Sequence, residues 1–404
     1  MDAASAIALL MTPDGRRDPY PTYELLRAHG SVVAAGDRFT VVTGYAAVDQ
    51  LLRDPRMIVL EGEMRDQQWP DWRDNRAISS IAISMLRTNP PNHTRMRRLA
   101  AGAFTARRIA AMRDVVTAQT TSLVAGMTER GHGGQAVDFM SAFAYPLPVG
   151  VICALLGVPA ADHPWFRQRA ADLTAVLEPE INLDEMAAAS RGAAELEEYF
   201  TELIRQRRAA PGEDLITALV QAHDAGGDRL SGDELLANLV LLLVAGFETT
   251  TNLLGNGLFA LLERPEQMDR LRADDSLAAA YVEEMLRFDS PVQLTTRVAG
   301  ASAQVDGATV PEGSWLLLLL GAANHDPARF ADPGRFDPDR PQNHPISFGA
   351  GAHYCLGAAL ARLEAQVAFP MLLRALPALA LAGVPRRRVR LTLRGFATLP
   401  VRVG

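Results

Sequence analysis

Along most of this chain, apolar residues return every three to four positions, the period of a helix with one buried face. PTYELLRAHG (21–30) reads as a helix stopped by Gly30, and YAAVDQLLRDPR (45–56) as one stopped at Pro55. The pattern continues from His93 to about Gly131 and again over 160–210, which is rich in Ala and Glu. PLPVGVICALLGVP (146–159) predicts a short buried helix between prolines, and 275–288 predicts another helix. The segment 231–262 predicts one long helix, with Ser231 as cap and Glu234 at the capping-box position. At ~1.5 Å per residue it would run about 48 Å, enough to cross a domain. Period-two alternation is confined to VVAAGDRFTVVTG (32–44, turning at Gly36-Asp37), TTRVAG (295–300), AQVDGATVPEGSWLLLLL (303–320) and VRLTLRGFATLPVRV (389–403). Residues 57–88 carry no clear period and hold Trp69, Pro70 and Trp72 inside a charged run, so a long, functional loop is expected there. No repeat, low-complexity tract or linker interrupts the chain. The expectation is one mainly α (α+β) domain over residues 1–404, with small β-rich contributions from about 32–44, 295–320 and 389–404.

Composition narrows the function. The 404 residues are 48% hydrophobic, ample for a large core, and the formal net charge of −7 excludes a globally basic surface for nucleic acid. All 40 basic residues are arginine, which removes Schiff-base and phosphate-loop lysines from consideration. Two cysteines, Cys153 and Cys355, do not make a disulfide framework, so a reducing, cytoplasmic setting is expected. The N-terminal stretch lacks the basic start of a secretory signal, and Asn238 and Glu248 break the one long apolar run; no membrane association is expected.

Cys153, among Val151, Ile152 and Leu155, reads as a small buried hydrophobe. Cys355 stands in a different setting, SFGAGAHYCLGAALAR (347–362). Gly349, Ala350 and Gly351 allow a tight turn or a close approach, Gly357 removes a side chain just after it, and a helix follows. A helix N-terminus favours thiolate over thiol. Such a thiolate is a nucleophile or a metal ligand. A nucleophile needs a base, and His353, two residues away, points elsewhere in most backbone geometries. Zinc needs about four ligands, and no second cysteine or paired histidine lies nearby. An axial thiolate on haem iron needs one cysteine and a flat approach.

Here the residues resemble a known family. Phe348, Gly351, His353, Cys355 and Gly357 fill every fixed place of the Phe-x-x-Gly-x-His-x-Cys-x-Gly signature of cytochromes P-450. Three further motifs follow the family's order: NPPNHTRMRR (89–98), AGFETT (245–250) and EEMLR (283–287), the last followed by the Pro- and Asp-rich segment 323–341. The resemblance is closest to the soluble bacterial class and spans nearly the whole chain. It implies a triangular helical domain with a long central helix and a small β-rich lobe.

The resemblance also implies roles. Cys355 would be the axial ligand of a haem b iron, its thiolate favouring O–O cleavage. His93, Arg97, Arg297 and His353 would meet the propionates; Asn89 stands where an aspartate is common. Thr249 would hold water near bound oxygen, and Glu248 with Thr250 would relay protons. Glu284 and Arg287, one helical turn apart, would form a buried structural pair, with Arg335 joining them; His325 is given no role. By family position the substrate pocket would draw on loop 57–88, Leu242, Leu243, Ala245, Gly246, Val292, Leu294, Thr295, Phe396, Ala397 and Thr398, under cover helices within 165–200. The implied activity is O2-dependent hydroxylation or epoxidation of a mid-sized apolar natural product such as a polyketide or macrolide. The alternatives are oxidative coupling or cyclisation without oxygen insertion, and a haem-free docking module. Electrons would come from NAD(P)H through a ferredoxin reductase and a ferredoxin docking near Arg98, Arg107, Arg108 and Arg362. A monomer is expected.

Overall fold

The computed structural model describes residues 1–36, 38–224 and 229–404; Asp37, at the expected first β-turn, lies outside them. One helix, Gly232–Leu262, fulfils the long-helix expectation. The Ser231 hydroxyl accepts from the Glu234 amide and the Glu234 carboxylate accepts from the Ser231 amide, so two otherwise orphaned donors are satisfied. This helix is long and apolar enough to cross a membrane, yet 67% of its most apolar window is buried inside the protein. It is the axis of the largest hydrophobic core, against which Pro146–Leu156, Leu183–Ala209, Ala278–Phe288 and Ala358–Ala375 pack.

The sheet that borders this core joins distant parts of the chain. Its strands run Val32–Ala34, Phe39–Val42, Trp315–Leu318, Thr295–Ala299 and Met57–Ile58, and only the second and third are parallel. Register pairs Arg297 with Leu316 and Thr295 with Leu318. A smaller sheet sets Pro400–Arg402 between Val137–Asp138 and Ala380–Leu381.

Three stretches depart from the sequence reading. Residues 3–11 form a helix capped by Asp2, whose carboxylate accepts from the Ser5 amide at 2.8 Å. The segment 57–88 is not a plain loop, because it contains the helices Gly62–Gln68 and Arg76–Ala82. Tertiary contacts rather than periodicity fix them: Arg65 donates to the Leu60 carbonyl at 2.6 Å and lies over the Trp72 ring at 5.0 Å. Finally, the alternating run 389–393 forms no strand. Its amides at Leu391, Thr392 and Leu393 donate instead to the Glu178 carboxylate, at 2.8, 3.0 and 3.0 Å.

Candidate functional site

The loop before helix Ala358–Ala375 is shaped by glycine. Gly351 has φ +67°, and a Cβ there would lie 2.2 Å from the Leu52 carbonyl oxygen, so no other residue fits. The Cys355 amide closes the loop by donating to the Phe348 carbonyl at 2.9 Å. The Cys355 side chain is open to solvent, and its sulfur accepts from the amides of Gly357 and Ala358. The protein packed around the sulfur pushes this thiol up, whereas those amides, Arg97 and Arg362 pull it down. The helix itself starts three residues later, at Ala358, so its N-terminus gives the thiolate less support than expected, and a metal cation would supply the rest. Cys153 is fully buried, with its thiol pushed up to about 12, as a core hydrophobe should be.

Beside this loop the structure gathers all four expected cationic residues. The rings of His93 and His353 lie 4.1 Å apart. Arg97 donates to the Tyr354 carbonyl, and Arg297 to the Thr296 carbonyl at 2.7 Å and the Thr295 hydroxyl at 3.1 Å. Burial, with help from the neighbouring arginines, pulls His93 down and His353 down to about 3, so both rings are neutral. Arg297 is pulled down to about 10 by burial and by Arg87, a residue the sequence reading missed. Among the described residues no carboxylate pairs with Arg97 or Arg297, and neither ring nitrogen of His93, only 2% exposed, has a partner. A buried and a half-buried cation and an orphaned imidazole beside a free thiol form a donor set that a haem, with one iron and two propionates, would complete.

The long helix opens along one line only. Within a run that is otherwise buried, Ala245 is exposed and Gly246 and Thr249 are half-buried. The Thr249 hydroxyl bonds back to the Ala245 carbonyl at 2.9 Å and Thr250 to Gly246 at 3.4 Å, as threonines in an apolar helix tend to do. Glu248, 1% exposed, pairs with Arg388, whose other nitrogen donates to Asn252 on the next helical turn. Its only sequence signal was the arginine triplet 386–388, because the partners stand far apart in the chain.

Glu284 and Arg287 are both fully buried and make a two-bond pair at 2.6 and 2.7 Å. The pair is saturated: Arg287 also donates to the carbonyls of Asn324, Pro333 and Arg335, and Glu284 accepts from Asp337 and Asn343. Arg335 thus joins through its backbone, and the third side chain is that of Arg340, at 3.7 Å. His325 packs on Tyr20 at 4.4 Å and bonds to the Phe288 carbonyl.

Of the expected pocket residues, Ala245 and Gly246 share the open helix face with Thr249, Leu242 lies one turn before them but is buried in the core, and Val292, Thr295 and Ala397 keep accessible surface. Leu243, Leu294 and Phe396 instead point into packed cores. Alternation explains the last two, since Thr295 and Ala397 take the opposite faces. In the arginine patch expected for an electron donor, Arg98 and Arg107 are exposed, whereas Arg362 is engaged by Glu283 and Arg108 by the Ala103 carbonyl.

Known proteins share this fold. The family model described as Cytochrome P450 matches residues 166–398. The cytochrome P450 monooxygenase PikC of Streptomyces venezuelae is 40% identical over 402 residues, 96% of this chain and 92% of that protein. P450BioI, crystallised in complex with hexadec-9Z-enoic acid ligated acyl carrier protein, has a TM-score of 0.87 and 34% identity, covering 96% of this chain and 99% of that one. The tirandamycin C-bound P450 monooxygenase TamI has a TM-score of 0.85 and 37% identity, covering 98% and 99%. With fold, motif order and donor set in agreement, this chain belongs to the cytochrome P450 family and is a monooxygenase using haem b, O2 and electrons from NAD(P)H.

Proposed function

We propose that this chain, acting as a single domain and a cytoplasmic monomer, hydroxylates or epoxidises a mid-sized apolar natural product of the polyketide or macrolide kind. The likeness to TamI, a monooxygenase bound to tirandamycin C, supports the substrate class. The observation that carries the reading is the glycine-locked Cys355 loop lying beside the half-buried Arg97 and the buried Arg297, neither paired with a carboxylate among the described residues. Haem, when bound, supplies the oxygen chemistry at its iron.

The protein's residues do the rest. Cys355 would hold the iron through its sulfur, with the Gly357 and Ala358 amides spreading the charge on it. Arg97, Arg297, His93 and His353 would hold the propionates. Thr249, on the open helix face, holds a water at its hydroxyl, and Glu248 with Thr250 passes protons toward it. Ala245 and Gly246 present an apolar wall that excludes bulk water from the substrate. A ferredoxin, reduced by its reductase, docks near the exposed Arg98 and Arg107.

Two measurements test this. The reduced, carbon-monoxide-treated protein is expected to show the red-shifted Soret band of a thiolate-ligated haem, and Cys355→Ser is expected to abolish it. Product formed under isotopically labelled O2 is expected to carry the label; turnover without label selects oxidative coupling or ring closure instead.

A further inference from the structure

Tyr354 stands between His353 and Cys355 in the chain. Of the Phe, Trp and Tyr side chains among the described residues, only Trp69 and Tyr354 are exposed, the latter to 40%. Tyr354 is nevertheless held at three points. Arg97 donates to its carbonyl, Arg362 donates to its hydroxyl at 3.2 Å, and its ring meets Phe348 edge-on at 6.4 Å. Arg362 in turn lies over the Phe348 ring at 4.5 Å and makes two bonds to the Glu283 carboxylate, which neutralises its charge. Arg362 therefore serves this surface as a brace for the ring more than as a charge.

The surroundings of the ring are basic. In a chain of formal net charge −7, residues 92–113 contain six arginines and no Asp or Glu, and residues 345–363 contain no Asp or Glu either. Arg97 reaches the Tyr354 carbonyl from helix Asn92–Ala103, and helix Ala106–Arg130 packs against helix Ala358–Ala375, so the two acid-free stretches meet beside the Cys355 loop. Arg98, Arg107 and Arg113 are exposed there. A rim of one charge steers a partner of the opposite charge, whereas the binding energy itself concentrates in a few rigid anchors, among which tyrosine is enriched.

We propose that Tyr354 is the anchor on which the acidic electron-donor protein docks, with Arg98, Arg107 and Arg113 as the steering rim and Arg362 and Phe348 as the residues that position the ring. The inference rests on the reading of a ferredoxin as the donor. An aromatic ring already fixed in place loses little freedom when a partner covers it, and Tyr offers an apolar face together with a polar tip. A partner seated on it lies one residue along the chain from the sulfur of Cys355.

The probe is a plant-type [2Fe–2S] ferredoxin, an acidic protein, titrated calorimetrically into the haem-loaded protein at low and at high salt. The wild type is expected to bind it, more weakly as salt rises. Tyr354→Ala is expected to weaken binding about tenfold at both salt concentrations, and Tyr354→Phe, which keeps the ring, to stay within about threefold of the wild type. Arg107→Gln is expected to weaken binding chiefly at low salt. A Tyr354→Ala protein that binds as the wild type does overturns the proposal. So does one whose reduced carbon monoxide spectrum loses the thiolate band, because the ring then holds the Cys355 loop rather than a partner. A wild type with a normal spectrum that binds no ferredoxin sinks the reading of the donor, and the anchor with it. Ferredoxin that binds wild type and Tyr354→Ala alike sinks only the role of Tyr354.

Discussion

Arg388 decides what Glu248 can do. A carboxylate buried to 1% exposure in an apolar helix is tolerable only with a countercharge, and Arg388 supplies it from a segment 140 positions later. Tyr145 feels both charges and is pushed up, first by its own burial. Proton passage through Glu248, as proposed, would have to loosen this pair. In Arg388→Gln the buried Glu248 carboxylate loses its countercharge, and the variant is expected to lose about 3–5 kcal/mol of stability in chemical denaturation and to form product more slowly. A variant as stable and as fast as the wild type rules out Arg388 as the residue that holds Glu248 in place. At this scale legibility followed distance along the chain. Cys355, His353 and Gly351 stand within one local motif, and His93 and Arg97 are one helical turn apart in another, so the resemblance of those short motifs to the family could mark them. Arg388 gains its meaning from Glu248, far away in the chain, and no local pattern records that.

Among the elements, the long helix was the most legible, because its capping box and its apolar run mark the same boundaries. The short helices of 57–88 were the least legible. Seven residues make only two turns, too few to establish a period, and their stability comes from packing. The Cys355 loop lies between these cases: its glycines were visible, but the reason for Gly351 was not, since Leu52 is three hundred positions away by rough count and its carbonyl sets the limit. Gly351→Ala is expected to displace the loop from residues 52 and 53. A left-handed residue with a Cβ costs about 1–3 kcal/mol before the clash is counted. The expected readouts are a lower melting temperature and faster haem loss, with the reduced carbon monoxide band partly converted to the form that lacks thiolate ligation.

For the molecule as a whole, the absence of linkers supports the proposed single domain, but no local pattern shows how Tyr20, Asp289 and the arginines near residue 390 are tied together. Asp289 sits just past helix Ala278–Phe288 and binds both Arg387 and Arg394 at 2.6 Å, while Tyr20 donates to it from the N-terminal region. Burial raises its carboxyl, but the two arginines win and hold it at about 2, below the ordinary 3.8. A depressed carboxylate stabilises the fold fully above the unfolded value, and that stabilisation fades as pH falls through the folded one. Asp289→Asn is expected to lose about 3–5 kcal/mol at neutral pH, because two buried cations lose their partner. Chemical denaturation is expected to show the gap between wild type and variant narrowing as the pH drops from about 4 to 2. A gap that holds constant removes Asp289 from the account of acid stability.

Glu178 carries a mechanical consequence. It stands between the cover helices His163–Leu173 and Leu183–Ala209, and its three amide bonds grip 391–393, just ahead of Ala397 on the cleft wall. These three bonds rivet the stretch between the two helices to residues 391–393. If those helices roof the substrate as proposed, lifting them would drag this wall along or snap all three bonds at once, so widening the entrance would also reshape the chamber behind it.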